Sequence, residues 1–189
     1  MTAVTDTIRN GVDTEQMFST LDLIKDQPEL ARFQFRATTR WILGAHSRTT
    51  IRDFYGAGEE DRSRSESFVL DADEPAILLG SDTGATPCEH LLHALAACLT
   101  TSIVYVAAAR GIRVTEVQSH LEAEMDVRGA LGVSDEPRSG FERIRATFTL
   151  KGDAPAVELR AVVSRAKERA PVLDIITNGV AVELEVAGE

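Results

Sequence analysis

Residues Thr86–Arg110 read TPCEHLLHALAACLTTSIVYVAAAR, and the reading of this stretch decides the fold. Thr86 is a good helix N-cap, Pro87 suits the first helical position, and Glu89 stands three residues after the cap. This is the capping-box pattern, in which each side chain satisfies a backbone N–H at the other end. Leu and Ala, strong helix formers, follow. Arg110 puts a cation at the negative end of the helix dipole, and Gly111 can end the helix. Leu91–Ala109 is nineteen residues without a formal charge, so the helix is apolar nearly all round and needs cover on most sides. About 20 apolar residues also suffice to span a membrane. Thr100, Thr101 and Ser102 break this run, however, and His93 lies inside it. The N-terminus shows no basic segment followed by a cleavage site. The expectation is a buried core helix and no membrane partner.

Composition narrows the function. At 189 residues the chain is large enough for a real hydrophobic core. A net charge of −10 disfavours nucleic acid and anionic membrane surfaces as partners. Two cysteines are too few for a disulfide framework and suit a reducing cytoplasm.

Outward from the helix, residues 1–30 read as an N-terminal helical extension. Asp13 and Gln16 can cap a short helix carrying Met17, Leu21 and Ile24, which Pro28 ends. Residues 31–189 form the main domain. Phe33, Phe35, Ala37, Trp41 and Leu43 alternate with Arg32, Gln34, Arg36 and Arg40, the pattern of a half-buried strand. Gly44-Ala45 suggests a turn, and Arg48–Phe54 a second strand. A polar loop over Gly56–Ser67 precedes short strands at Phe68–Leu70 and Ile77–Leu79. After the helix, Val117–Val127 alternates with a wet acidic face. Ile144, Ala146, Phe148 and Leu150 face inward on the next strand, with Arg143 and Arg145 placed to meet Glu122 and Glu124. A helix buries Leu159, Val162, Val163 and Ala166. A short helical segment runs from Pro171 to Asn178-Gly179, and Val180, Val182, Leu184 and Val186 predict a final strand. Helices are too few to cross over between every strand pair. The fold class is therefore α+β, a mainly antiparallel sheet around a long central helix. A helix apolar on every side needs more cover than one sheet and one helix provide, and a second copy of the chain is the simplest source.

The two sulfurs sit differently. Cys88 and Cys98 are ten residues apart on one helix, roughly 15 Å along its axis, so an intrachain bond between them is excluded. Cys88 lies in the first turn, where free N–H groups favour a thiolate. Cys98 is mid-helix, with Thr101 and Ser102 on its face; their hydroxyls either donate to a thiolate or back-bond to the helix. Composition alone favours an inert core thiol at position 98. His46 and Arg48 share one strand face and are the nearest candidates for a cation, against solvated or turn roles. Glu89 can hold an arginine, although the capping box already explains it. His90 and His93 are three apart on the helix but have no supporting ligands, so no metal is expected, and no cofactor.

The motif TPCEHLLHALAAC resembles the helix start of the OsmC-like family, which includes organic hydroperoxide resistance proteins. RGIRVTEVQSHLE, LGVSDEPRSGF with RIRATFTL, and PVLDIITNGVAVE are similar to it as well, so the likeness covers about residues 33–187. The resemblance implies an intertwined α+β homodimer and cysteine-based reduction of hydroperoxides. It gives Cys98 the role of the peroxide-attacking thiol, which forms a sulfenic acid. It gives Arg48 the role of the polarising arginine, with Arg40 as the fallback. Glu89 matches the glutamate of one subgroup; in the best-known peroxidases that glutamate falls where this chain has Cys88. The family's second cysteine corresponds to Ala170, so the resolving thiol is missing. Two functions follow from the resemblance. One is a thiol peroxidase acting through Cys98, Arg48 and Glu89, with Cys88, His46, Thr101 and Ser102 as accessory or resolving groups and an external thiol as reductant. The other is a non-catalytic protein binding a small apolar molecule on the same dimer scaffold.

Overall fold

The computed structural model describes residues 7–188. They fall into two compact units, residues 7–8 with 13–91 and residues 9–12 with 92–188. A small hairpin, β1 (Ile8–Arg9) and β2 (Val12–Asp13), starts the described chain. Its turn residues Asn10 and Gly11 both have positive φ, 54° and 78°, the Asn-Gly pairing that tight hairpins favour.

In the first unit, α1 (Thr14–Asp26) is capped by Asp13, whose side chain accepts from Gln16 N at 3.1 Å, and a 3-10 turn at Pro28–Ala31 follows it. The capped helix, ended before Pro28, matches the sequence reading; the 3-10 turn was not expected. β3 (Thr38–Leu43) and β4 (His46–Ile51) form a hairpin around Gly44 (φ 58°). β5 (Phe54–Gly56) pairs with β6 (Glu59–Asp61), and β7 (Phe68–Ala72) completes the order β3-β4-β7. Phe33, Phe35 and Phe54 stack with ring centroids 5.9–6.3 Å apart. A Cβ at Gly56 would run into the Phe33 ring, so a larger residue there would have to displace that ring.

Several expectations need correction in this unit. The first strand begins at Thr38, not Phe33; before it only Gln34 makes a bridge, to Tyr55. Its apolar face is open, with Phe35, Trp41 and Leu43 exposed. Period-two spacing marks which face is apolar, not what covers it. The polar stretch after Gly56 holds a strand, because the turn at Ala57-Gly58 lets Glu59–Asp61 fold back. Ile77–Leu79 is not a strand either: Ala76–Leu78 is a 3-10 turn. The cause is Asp73, buried at 1 % exposure. Its carboxylate accepts from Glu74 N (2.8 Å), Ser81 N (3.2 Å), Thr83 N (3.1 Å) and Thr83 Oγ1 (2.8 Å). These bonds wind the chain around one carboxylate and bring its pKa down to about 2, the Thr83 hydroxyl contributing most.

α2 (Pro87–Ala109) begins in the first unit and continues through the second. Gly111, at φ 77°, follows its end as expected. The helix is long and apolar enough to cross a membrane by composition, yet in the second unit it is a core helix. Ile103 and Ala107 are buried with Ile112, Val162 and Ala166, with Val117, Phe148, Leu150 and Leu159 packed against them. β8 (Val114–Glu124) and β9 (Arg143–Gly152) form one antiparallel ladder. The expected cross-strand partners are in register, Glu122 opposite Arg145 and Glu124 opposite Arg143, and Arg145 Nη1 lies 3.5 Å from Glu122 Oε2. A short helix, α3 (Val127–Ala130), stands where the sequence continues the alternation to Val127, because Asp126 caps it through Arg128 N. α4 (Ala156–Lys167) buries Val162 and Ala166, and α5 (Pro171–Asn178) follows. The final strand is absent: residues 179–188 have no regular structure, and Val180, Val182, Leu184 and Val186 are exposed. A strand needs a neighbour to take its backbone N–H and C=O groups, and no ladder among the described residues includes them.

Candidate functional site

The two sets of groups singled out by the sequence lie in different units. In the first unit, the helix start forms as read. Thr86 N donates to Glu89 Oε2 at 2.8 Å, and Glu89 N donates to Thr86 Oγ1 at 3.1 Å. The Thr86 backbone N–H is the main reason that the Glu89 carboxyl is held below its ordinary range. Glu89 is therefore the helix cap, and the arginine has a different partner.

That partner is Asp71. Arg48 on β4 and Asp71 on β7 are directly opposite in the ladder. Arg48 Nε donates to Asp71 Oδ1 at 2.9 Å and Nη2 to Oδ2 at 3.2 Å. His46 Nε2 is 2.8 Å from the same Oδ1. This agrees with the expectation that His46 and Arg48 share a face. His90, in the first turns of α2, places Nε2 3.1 Å from the Asp71 carbonyl oxygen. The bonds from Arg48 and then His46 hold the Asp71 carboxyl below its ordinary range, and Asp71 in turn raises the Arg48 pKa. Asp71 was not among the sequence candidates. Its only signal was a carboxylate at a strand end, and the pairing of β4 with β7 across residues 52–67 is what gives it meaning. Cys88 is half-buried with a free thiol.

In the second unit, Cys98 is also a free, half-buried thiol. It packs against an apolar cluster of Leu95, Leu99 and Ala170, with Leu121, Ile144, Phe148, Val172, Leu173 and Ile176 around it. Ala170 is 3 % exposed. Ala170 thus lies in the same cluster that Cys98 packs against. Among the described residues neither Thr101 nor Ser102 back-bonds to a helix carbonyl, so both hydroxyls remain available on the Cys98 face. Beside this cluster, β9 and α4 leave an apolar groove of about 560 Å³ lined by Ala146, Phe148, Leu150, Leu159, Arg160 and Val163.

A mixed fold of antiparallel strands and helices, with a half-buried cysteine midway along its apolar helix, defines the class to which this chain belongs. A family model described as OsmC-like protein matches residues 80–185. The chain belongs to the OsmC-like protein family. The fold agrees with solved structures. An OsmC-like protein from Mycoplasma pneumoniae superposes with a TM-score of 0.57 at 14 % identity, over 82 % of this chain and 96 % of that one. An organic hydroperoxide resistance protein from Legionella pneumophila gives 0.52 at 20 % identity, over 77 % and 90 %. An OsmC-like protein of unknown function from Vibrio cholerae gives 0.53 at 12 % identity, over 76 % and 94 %. A search of the curated proteins returned no significant match.

Proposed function

We propose that this chain is a one-cysteine hydroperoxide reductase of the OsmC-like family, acting on organic hydroperoxides in the cytoplasm as a homodimer. The observation that carries the reading is the setting of Cys98, a half-buried thiol against an apolar cluster. The Cys98 thiolate attacks the terminal oxygen of ROOH. The O–O bond breaks, the alkoxide takes up a proton and leaves as ROH, and the sulfur becomes a sulfenic acid. Apolar walls favour an organic hydroperoxide over hydrogen peroxide. With alanine at position 170, an external thiol attacks the sulfenic sulfur and releases water. A second external thiol then cleaves the mixed disulfide and returns Cys98 to its reduced form. The resemblance assigns Arg48 the role of the cation that stabilises the thiolate and the departing oxygen. The exposed apolar residues of β3 and of 180–186 support the second copy of the chain, which sedimentation at micromolar concentration tests. The enzymatic reading is tested with Cys98→Ser, which consumes cumene hydroperoxide far more slowly than the parent; equal rates overturn it.

The groove between β9 and α4 favours a second reading, a binding protein without turnover. Its volume suits a small ligand and its lining is mostly apolar. Thermal shift with fatty acyl, aromatic and thiol compounds tests it, and a flat response to all three counts against it.

A further inference from the structure

We infer that Asp71 is the positioning residue for Arg48, the carboxylate that fixes the guanidinium in the orientation the hydroperoxide chemistry uses; this rests on the reductase reading above. The sequence offers Glu89 for that task, but both halves of the Glu89 capping box are occupied by Thr86. The Arg48 guanidinium instead lays its Nε–Nη2 edge along both oxygens of Asp71. A planar fork gripped at two points keeps one orientation, which a single bond does not enforce. Nη1 donates to no acceptor among the described residues, so the edge away from Asp71 is the one left for a substrate oxygen or a thiolate.

Asp71 is itself held from two sides. His46 Nε2 meets Oδ1 at 2.8 Å, and His90 Nε2 meets the main-chain oxygen at 3.1 Å. The ladder pairing of Arg48 with Asp71 sets the distance between their backbones. Three side chains from β4 and the start of α2 thus converge on one residue of β7. Stability does not account for this convergence. Arg48 and Asp71 side chains are 51 % and 31 % exposed, and ion pairs so open to water contribute little to folding. What such a pair does supply is orientation.

The test compares Asp71→Asn, Arg48→Ala, the double variant and Cys98→Ser in the full chain. Cumene hydroperoxide consumption and the pH midpoint of Cys98 alkylation are the readouts. Asp71→Asn keeps the shape and removes the charge. It is expected to slow peroxide consumption about tenfold or more and to move the alkylation midpoint upward, with a circular dichroism melt close to the parent. In the Arg48→Ala background the same substitution is expected to have no further effect, because Asp71 acts only through Arg48. Asp71→Glu, which keeps the carboxylate, recovers part of the rate, and it serves as the second variant if Asp71→Asn does not fold. The inference is overturned if Asp71→Asn matches the parent while Cys98→Ser is inactive, or if the loss is as large without Arg48 as with it. Parent-like rates for Cys98→Ser overturn the reductase reading first and this inference with it.

Discussion

Cys98 and Ala170 share one apolar cluster, although seventy-two positions separate them in the chain. α2 brings the thiol, and the residue just before α5 brings the alanine, 3 % exposed. The relationship places residue 170 beside the thiol that the proposed chemistry uses.

Ala170→Cys is therefore expected to supply an internal resolving thiol. After one equivalent of organic hydroperoxide, the variant should form a disulfide between Cys98 and the introduced sulfur. Peptide mapping would show the link, and the external thiol would then be needed only to reduce that disulfide, no longer to resolve the sulfenic acid. If Cys98 instead over-oxidises to the sulfinic acid in the variant, the two positions are too far apart for exchange.

The capping box at the start of α2 predicts a stability effect. Thr86→Ala leaves the Glu89 N–H without its hydroxyl acceptor. A loss of about 1 kcal/mol is expected, read by urea denaturation. No change in midpoint would mean that solvent replaces the cap without penalty.

Asp73 predicts an acid limb in the stability profile. Its folded pKa of about 2 lies below the ordinary 3.8. The contribution is then fully present above about pH 4 and is lost as the pH falls through about 2. Asp73→Asn should flatten that limb and lower the melting temperature by several degrees at neutral pH. Gly80→Ala should destabilise the same loop, since a Cβ there would run into the Glu74 carbonyl.

Asn10 ties the first hairpin to the strand region after α2. Its Nδ2 donates to the Ile112 carbonyl and its Oδ1 accepts from Val114 N, both at 2.9 Å. Asn10→Ala removes both bonds and puts alanine at a φ of 54°, which its Cβ disfavours. A loss of about 1–3 kcal/mol is expected. Hydrogen exchange should show the Val114 amide opening first.

The local elements were legible in the order of residues alone. The Thr86–Glu89 box, the Asp13 cap, the Gly111 stop and the α4 face are each written within a few residues, because capping and helical period are short-range effects. The Glu122–Arg145 register was also readable, since two long strands joined by one loop have few ways to pair. Tertiary structure decided what depends on partners distant in the chain. Asp73 overrides the apolar run Ile77–Leu79 because its acceptors draw Ser81 and Thr83 back across the loop. Val180–Val186 has strand periodicity but no ladder partner among the described residues, so alternation alone does not make it a strand. Asp71, not Glu89, holds Arg48 for the same reason: the choice between two carboxylates was settled by which strand lies beside β4, a fact that the spacing of residues does not contain.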